Sequence, residues 1–290
     1  MPTRLFRPRS PLNLRLTLAP LCRGRGDPTM RLAADGVWRA SRTPDGPATL
    51  HLSLRDDVVH AEAWGPGAGW ALETAPALVG EHDEPAGFEP RHPAVADAVH
   101  RFPGLRLCRS GRVVEVLVPT VLEQKVIGKQ ARRSYAALVR ALGEPAPGPV
   151  PLRLPPVPER VAGTPSWTFH RWGVERKRAD TVRRACAVAD RLEAAPDRLQ
   201  RVPGIGPWTA AEVRRLALGD ADAVSVGDYH LPNLVSWALA GEPRGDDARM
   251  LELLAPYAGH RGRVQRLLEA AGPHAPRYGP RLPLQHIARL

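Results

Sequence analysis

The chain has 290 residues, 43% of them hydrophobic, and a formal net charge of +11. That apolar content can bury a real core and the length suits two domains, which excludes a disordered tail. The positive surplus is almost all arginine, with lysine only at Lys125, Lys129 and Lys177. It favours a polyanionic partner, nucleic acid ahead of membrane because no basic amphipathic helix with a strong apolar face stands out. A high-GC genome that encodes Arg, Ala and Pro freely would give the same composition.

Cys22, Cys108 and Cys186 lie far apart without CxxC spacing, which disfavours a disulfide scaffold, a zinc knuckle or an iron-sulfur cluster. The N-terminal stretch has basic residues but no sustained apolar run, and nowhere do about 18 apolar residues follow one another. A soluble, reduced, cytoplasmic protein is expected.

In chain order, LNLRLTL (12–18) and ATLHLSL (48–54) alternate with a period of two and predict half-buried antiparallel strands. PDG (44–46) and GPGAG (65–69) predict turns. Residues 1–95 are therefore expected to form a small sheet-bearing domain. The period becomes helical near PAVADAVHRFPG (93–104), and 96–290 is expected to form a second, mostly helical domain. The spacing in 118–143 predicts one long helix opened by Pro119 and closed by Gly143, with a basic outer face. Eight prolines between 143 and 165 predict an extended surface connection. A helix over 175–195 should bury Ala179, Val182, Ala185, Cys186, Ala189 and Leu192. Two more helices are expected near 231–239 and 247–270.

Between them lies LQRVPGIGPWTAAEVRRLALG (199–219). A short helix, the turn VPGIG and a helix starting at Pro207 read as a helix-hairpin-helix, with Val213, Leu216 and Ala217 buried and Gly219 as the stop. Gly204 and Gly206 let the backbone turn with positive φ and expose bare amides. Together with the first turn from Pro207 to Thr209, these amides form a donor site for a phosphate oxygen, and Ile205 should plug inward. As a plain turn GIG is common. The hairpin alone implies only sequence-independent contact with DNA.

Downstream, in DAVSVGDYHLPNLV (222–235), Asp228 precedes an apolar helical run. Asp is a good helix cap, and it is also an odd choice for a surface that meets phosphate. VPGIGPWTA followed about 20 residues later by VSVGDYHL resembles the helix-hairpin-helix (HhH-GPD) DNA glycosylase superfamily, most nearly its 3-methyladenine DNA glycosylase II (AlkA-like) branch, over roughly 101–270. The resemblance implies an α+β fold, with a small N-terminal antiparallel sheet domain ahead of a mostly helical glycosylase domain. It implies an enzyme of base excision repair that binds damaged double-stranded DNA, everts an alkylated purine and hydrolyses its N-glycosidic bond, acting as a monomer near the nucleoid. Asp228 would then face the sugar of the everted nucleotide and stabilise an oxocarbenium ion; an alkylated purine, being cationic, leaves without a general acid.

The resemblance extends to other positions. Trp208 and Tyr257 match aromatic pocket positions, Tyr229 lies beside Asp228, and Trp208 equally suits packing of the hairpin. Glu212 replaces an aromatic of relatives and would suit a cationic or donor-rich base. Gln124 matches the start of the family's wedge segment, and Lys125 stands where an apolar wedge is common; Lys125 and Glu123 equally suit a solvated surface pair. The main-chain carbonyls of Gln200, Val202 and Ile205 match those that hold a structural Na+ or K+, no other cofactor being expected. Trp208 occupies the position of the lysine used by strand-cutting relatives, which implies an enzyme that stops at the abasic site. Two other functions stay open: a non-catalytic DNA-binding protein that borrowed the hairpin, and a glycosylase for deaminated bases.

Overall fold

The computed structural model describes residues 2–272 and 275–276. Five antiparallel strands, β1 (Thr3–Phe6), β2 (Met30–Ala33), β3 (Gly36–Thr43), β4 (Gly46–Arg55) and β5 (Val58–Trp64), form one sheet in the order β1-β5-β4-β3-β2. The ATLHLSL alternation falls inside β4, and the PDG turn joins β3 to β4. LNLRLTL is not a strand. Leu14–Leu18 is a helical turn, α1, because Asn13 caps it by accepting from the Leu16 amide at 3.0 Å, while Leu14 and Leu18, four residues apart, share one buried side. A helical face explains that spacing as well as a strand does, and the cap decides between them.

Helices α2 (Ala68–Leu78), α3 (Pro93–Arg101), α4 (Val113–Glu123) and α5 (Gly128–Leu142) follow. The single helix expected over 118–143 is two helices, α4 beginning before Pro119 and α5 closing at Gly143. They separate at Lys125, whose φ of 54° lies in the left-handed region where a non-glycine residue ends a helix. Beyond α5 the proline-rich segment runs extended across the sheet. Leu152 and Leu154 pack on Trp38 and Ala40, and Trp38 stacks on His51 with ring centroids 4.0 Å apart.

The chain continues with α6 (Pro158–Gly163), a 3-10 segment (Ser166–Trp172), α7 (Arg176–Ala187), α8 (Ala189–Ala194), a 3-10 turn (Pro196–Arg201), and α9 (Pro207–Val213), which widens into a π turn over Arg214–Leu218. All six residues expected on the inner face of 175–195 are buried. The last elements are α10 (Leu231–Ala240), α11 (Asp247–Leu254) and α12 (Arg261–Ala271). The run expected over 247–270 is split by a 3-10 turn at Ala255–Tyr257 and by Gly259, at φ 88°.

Two apolar cores organise these elements. The larger runs without a break from the sheet (Leu50, Leu52, Val59) through α2, α4, α5 and α7 to Ile205 and Leu216. The second joins α3 to α10, α11 and α12 around Val95, Val235, Met250 and Leu268. The hairpin belongs to the first core and α10 to the second, so the link from Gly219 to His230, which carries Asp228, lies between elements of the two. Among the described residues no helix is long and apolar enough to cross a membrane, and the three cysteines are unpaired.

Candidate active site

The hairpin is closed by local hydrogen bonds: the Val202 amide donates to the Leu199 carbonyl at 3.1 Å, and the Ile205 amide to the Val202 carbonyl at 3.0 Å. Ile205 is buried, as its place between the glycines predicts. Gly204 has φ +98°, and a Cβ there would fall on the Thr181 hydroxyl of α7. Gly206 is extended, with open space where its Cβ would be, and precedes Pro207 at the first position of α9. The amides of Trp208 and Thr209 lie in the first turn of α9, where an amide finds no partner within its own helix. Gly204→Ala is expected to cost about 2–3 kcal/mol, from backbone strain and the clash together. In the Thr181→Ala background most of the clash should go, only the contact with the retained Cβ at 3.0 Å staying, and the strain part should remain, as read by chemical denaturation of the four proteins of the cycle.

Gln124 fastens this hairpin to the end of α4. Its Nε2 donates to the Gly204 carbonyl at 3.0 Å and to Thr209 Oγ1 at 2.8 Å. Thr209 is buried and its hydroxyl accepts that bond, which turns its side chain into the fold. Lys125, next in sequence, is exposed at the apex of the turn. Beneath it Arg178 of α7, fully buried, donates to the Leu122 carbonyl at 2.6 Å and so caps the C-terminus of α4, its Nε and Nη2 unpartnered by hydrogen bonds.

Asp228 is half-buried, and both its oxygens are engaged. Oδ2 accepts the indole N–H of Trp208 at 2.9 Å; Oδ1 accepts the amides of His230 and Leu231 at 2.7 and 2.9 Å. The capping and site readings of this residue are therefore compatible: one oxygen caps α10, and the other is held by the hairpin helix. Trp208, half-buried, holds one oxygen of the carboxylate through its indole N–H. Tyr229, 78% exposed, stands beside it, edge-on to His230.

Two expected pocket residues are placed otherwise. Tyr257 is 3% exposed in the second core, its ring against Phe88 and His92 and its hydroxyl 2.6 Å from His92 Nδ1. It is a core residue there, held by α3 and α12, and burial pushes its pKa up. Glu212 is no free acid awaiting a base. It pairs with Arg215 at 2.7 Å and accepts from Ser225, while Arg215 also meets Glu269 of α12 at 3.0 Å. Burial opposes the charge of Arg215, but the two glutamates outweigh it and hold its pKa above the ordinary arginine value.

Sequence reasoning gave no role to Arg23, which reaches Glu123 from 100 residues away. Its Nη1 lies 3.1 and 3.2 Å from the two carboxylate oxygens. Burial raises the Glu123 pKa, Arg23 draws it down, and Glu212 raises it as a neighbouring like charge. The pairing of Glu123 with Lys125 considered from sequence is replaced by this one. Nothing local in CRGRGD marks Arg23; only the packing of that loop on α4 does.

The fold just described is that of the helix-hairpin-helix DNA glycosylases. The chain superposes on the 3-methyladenine DNA-glycosylase of Archaeoglobus fulgidus with a TM-score of 0.76, covering 92% of this chain and 98% of that one at 15% identity. With the 8-oxoguanine glycosylase/lyase of Clostridium acetobutylicum the TM-score is 0.73 at 10% identity, over 94% and 97% of the two chains; that protein has also been solved with double-stranded DNA containing cytosine opposite 8-oxoguanine. In sequence the chain is 31% identical over 152 residues to a probable bifunctional transcriptional activator/DNA repair enzyme AlkA of Mycobacterium tuberculosis, which supports the AlkA-like branch. That match takes in 48% of this chain and spans only 30% of the relative's length. No family model matches the chain.

Proposed function

We propose that the protein is a monofunctional DNA glycosylase of base excision repair that everts and removes alkylated purines from double-stranded DNA as a monomer. The observation that carries this reading is the tie between Asp228 and Trp208, which joins a half-buried carboxylate to the helix that follows the hairpin. Amides around Gly204, Gly206, Trp208 and Thr209 receive a phosphate, and the arginine-rich surface supplies the remaining attraction to the backbone. Lys125, on its strained turn, enters the gap left by the everted nucleotide, its register fixed by Gln124 on one side and Arg178 below.

Asp228 then lies under the deoxyribose. Three N–H donors keep the carboxylate oriented, so its charge meets the oxocarbenium ion without reorganising. It also directs the attacking water to C1′. Tyr229 and the exposed face of Trp208 contact the base or its neighbours. The carbonyls of Gln200, Val202 and Ile205 are neutral oxygens with no carboxylate among them, a donor set suited to Na+ or K+ rather than a divalent ion. Val202 already accepts from Ile205, which leaves one lone pair of that oxygen for a cation. Such an ion would tie the hairpin to phosphate and takes no part in the chemistry.

Incubation with methylated and with deaminated duplexes, followed by identification of the released base, tests the reading. Release of neither would leave a DNA-binding module. Sodium borohydride treatment during turnover is expected to give no covalent adduct with DNA, because Trp208 stands where a Schiff-base lysine would be needed; an adduct seen on a denaturing gel would overturn the monofunctional assignment.

A further inference from the structure

Only three of the 41 lysine and arginine side chains are lysines, and two of them reach the same turn of the hairpin from different helices. Lys125 follows Gln124, whose Nε2 donates to the Gly204 carbonyl at 3.0 Å. Lys177 lies in the first turn of α7, and its carbonyl accepts the Thr181 hydroxyl at 2.9 Å. That hydroxyl stands where a Cβ on Gly204 would fall. A single turn of α7, a rise of about 6 Å, therefore separates Lys177 from the residue that touches the hairpin. Its neighbour Arg178 reaches the Leu122 carbonyl at 2.6 Å, so the start of α7 also adjoins the end of α4.

Lys125, Lys129 and Lys177 are all exposed, and among the described residues none of the three forms an ion pair. The acids nearest Lys177 in sequence are held by arginines: Glu175 lies 3.5 Å from Arg178, and Asp180 lies 3.7 Å from Arg176 and 3.6 Å from Arg183. Glu123, near Lys125, is 3.1 Å from Arg23. Helix stability does not favour a lysine at 177. The first turn of α7 holds Arg176, Lys177 and Arg178 and no acid, and cations there oppose the helix dipole.

We propose that Lys177 is a DNA contact outside the hairpin, its ammonium group binding a backbone phosphate beside the one received by the amides around Gly204 and Gly206. A point charge on a flexible stem suits a phosphate met in any sequence, and such contacts set the register of the strand. This inference rests on the glycosylase reading and adds the direction in which the bound strand runs beyond the hairpin, toward the start of α7.

Affinity for an abasic duplex would be measured against salt concentration for the wild type, Lys177→Ala, Lys177→Gln, Lys177→Arg and Arg55→Ala, with thermal unfolding in parallel. Arg55, exposed at the end of β4, is the control for general surface charge. Lys177→Ala and Lys177→Gln should flatten the slope of log K against log salt by about 0.9, the value for one phosphate contact on duplex DNA, while Tm stays the same or rises. Lys177→Arg should keep the slope, and Arg55→Ala should leave it unchanged. Neutral methylphosphonates placed one at a time along the strand with the abasic site locate the contact: one position that weakens wild-type binding should have no effect in Lys177→Ala. An unchanged slope in the neutral variants, an equal loss in Arg55→Ala, a marked fall in Tm, or a phosphate profile that the substitution leaves intact overturns the proposal. Each of these leaves the glycosylase reading standing. A wild type that neither binds the abasic duplex nor releases a base overturns both.

Discussion

Asp228→Asn is expected to abolish base release while leaving DNA binding intact, the largest effect on activity anticipated for a single substitution. The amide keeps one acceptor oxygen, which can serve either the Trp208 indole N–H or the His230 and Leu231 amides, and its NH2 is left facing the donors on the other side. It therefore loses negative charge and part of the cap together. The loss of charge facing a developing oxocarbenium ion corresponds to about a thousandfold or more in single-turnover rate, ~4 kcal/mol of transition-state stabilisation. The cap contributes about 1 kcal/mol of stability, visible as a small fall in Tm. The two effects separate in one experiment, since a residue that only capped α10 would give the Tm change and leave any release unaltered. Affinity for an abasic duplex should stay within a few-fold, because the amides of the hairpin are untouched.

Arg215→Met should have the largest effect on stability. Arg215 is 7% exposed and joins Glu212 of α9 to Glu269 of α12, with Gln265 and Ser225 completing the network. Removing the cation strands two carboxylates in low-dielectric surroundings, at a cost of about 3–5 kcal/mol, equivalent to a Tm lower by roughly 10 °C. Replacing all three charged groups by apolar residues, Arg215→Met with Glu212→Leu and Glu269→Leu, is expected to cost less than Arg215→Met alone, because no charge is then stranded. A triple variant worse than the single one would show that the network contributes through its own bonds. The same network predicts an acid dependence. Burial opposes ionisation of Glu269, but Arg215, Gln265 and Arg266 together outweigh it and hold the pKa below the ordinary glutamate value. Its contribution is thus complete above about pH 4.3, the unfolded value, and is lost as pH falls through the lower folded value. Thermal unfolding between pH 6 and pH 3 reads this directly.

These two residues also show how differently parts of the site can be inferred. The hairpin was legible because its geometry is local: the order of proline, glycine, isoleucine and glycine sets the dihedral angles, the inward plug and the helix start within six residues. The buried face of α7 was legible for the same reason, its spacing being the period of the helix itself. Where two local patterns fit one stretch, as in LNLRLTL, periodicity chose the strand and a single Asn13 cap chose the helix. The break between α4 and α5 was invisible because Lys125 adopts a left-handed conformation that no lysine prefers; the turn is tied to other segments by the bonds of Gln124 to Gly204 and Thr209 and of Arg178 to Leu122.

By itself the sequence determined the strand at 48–54, the hairpin and the acid that follows it, since each depends on bonds and spacings between near neighbours. The tertiary structure decided what those residues face. It took Tyr257 into the second core, gave Glu212 to Arg215, and brought Arg23 across 100 positions to Glu123. Partners of that kind are set by packing, and the charge a pocket presents is the sum over groups that only packing brings together.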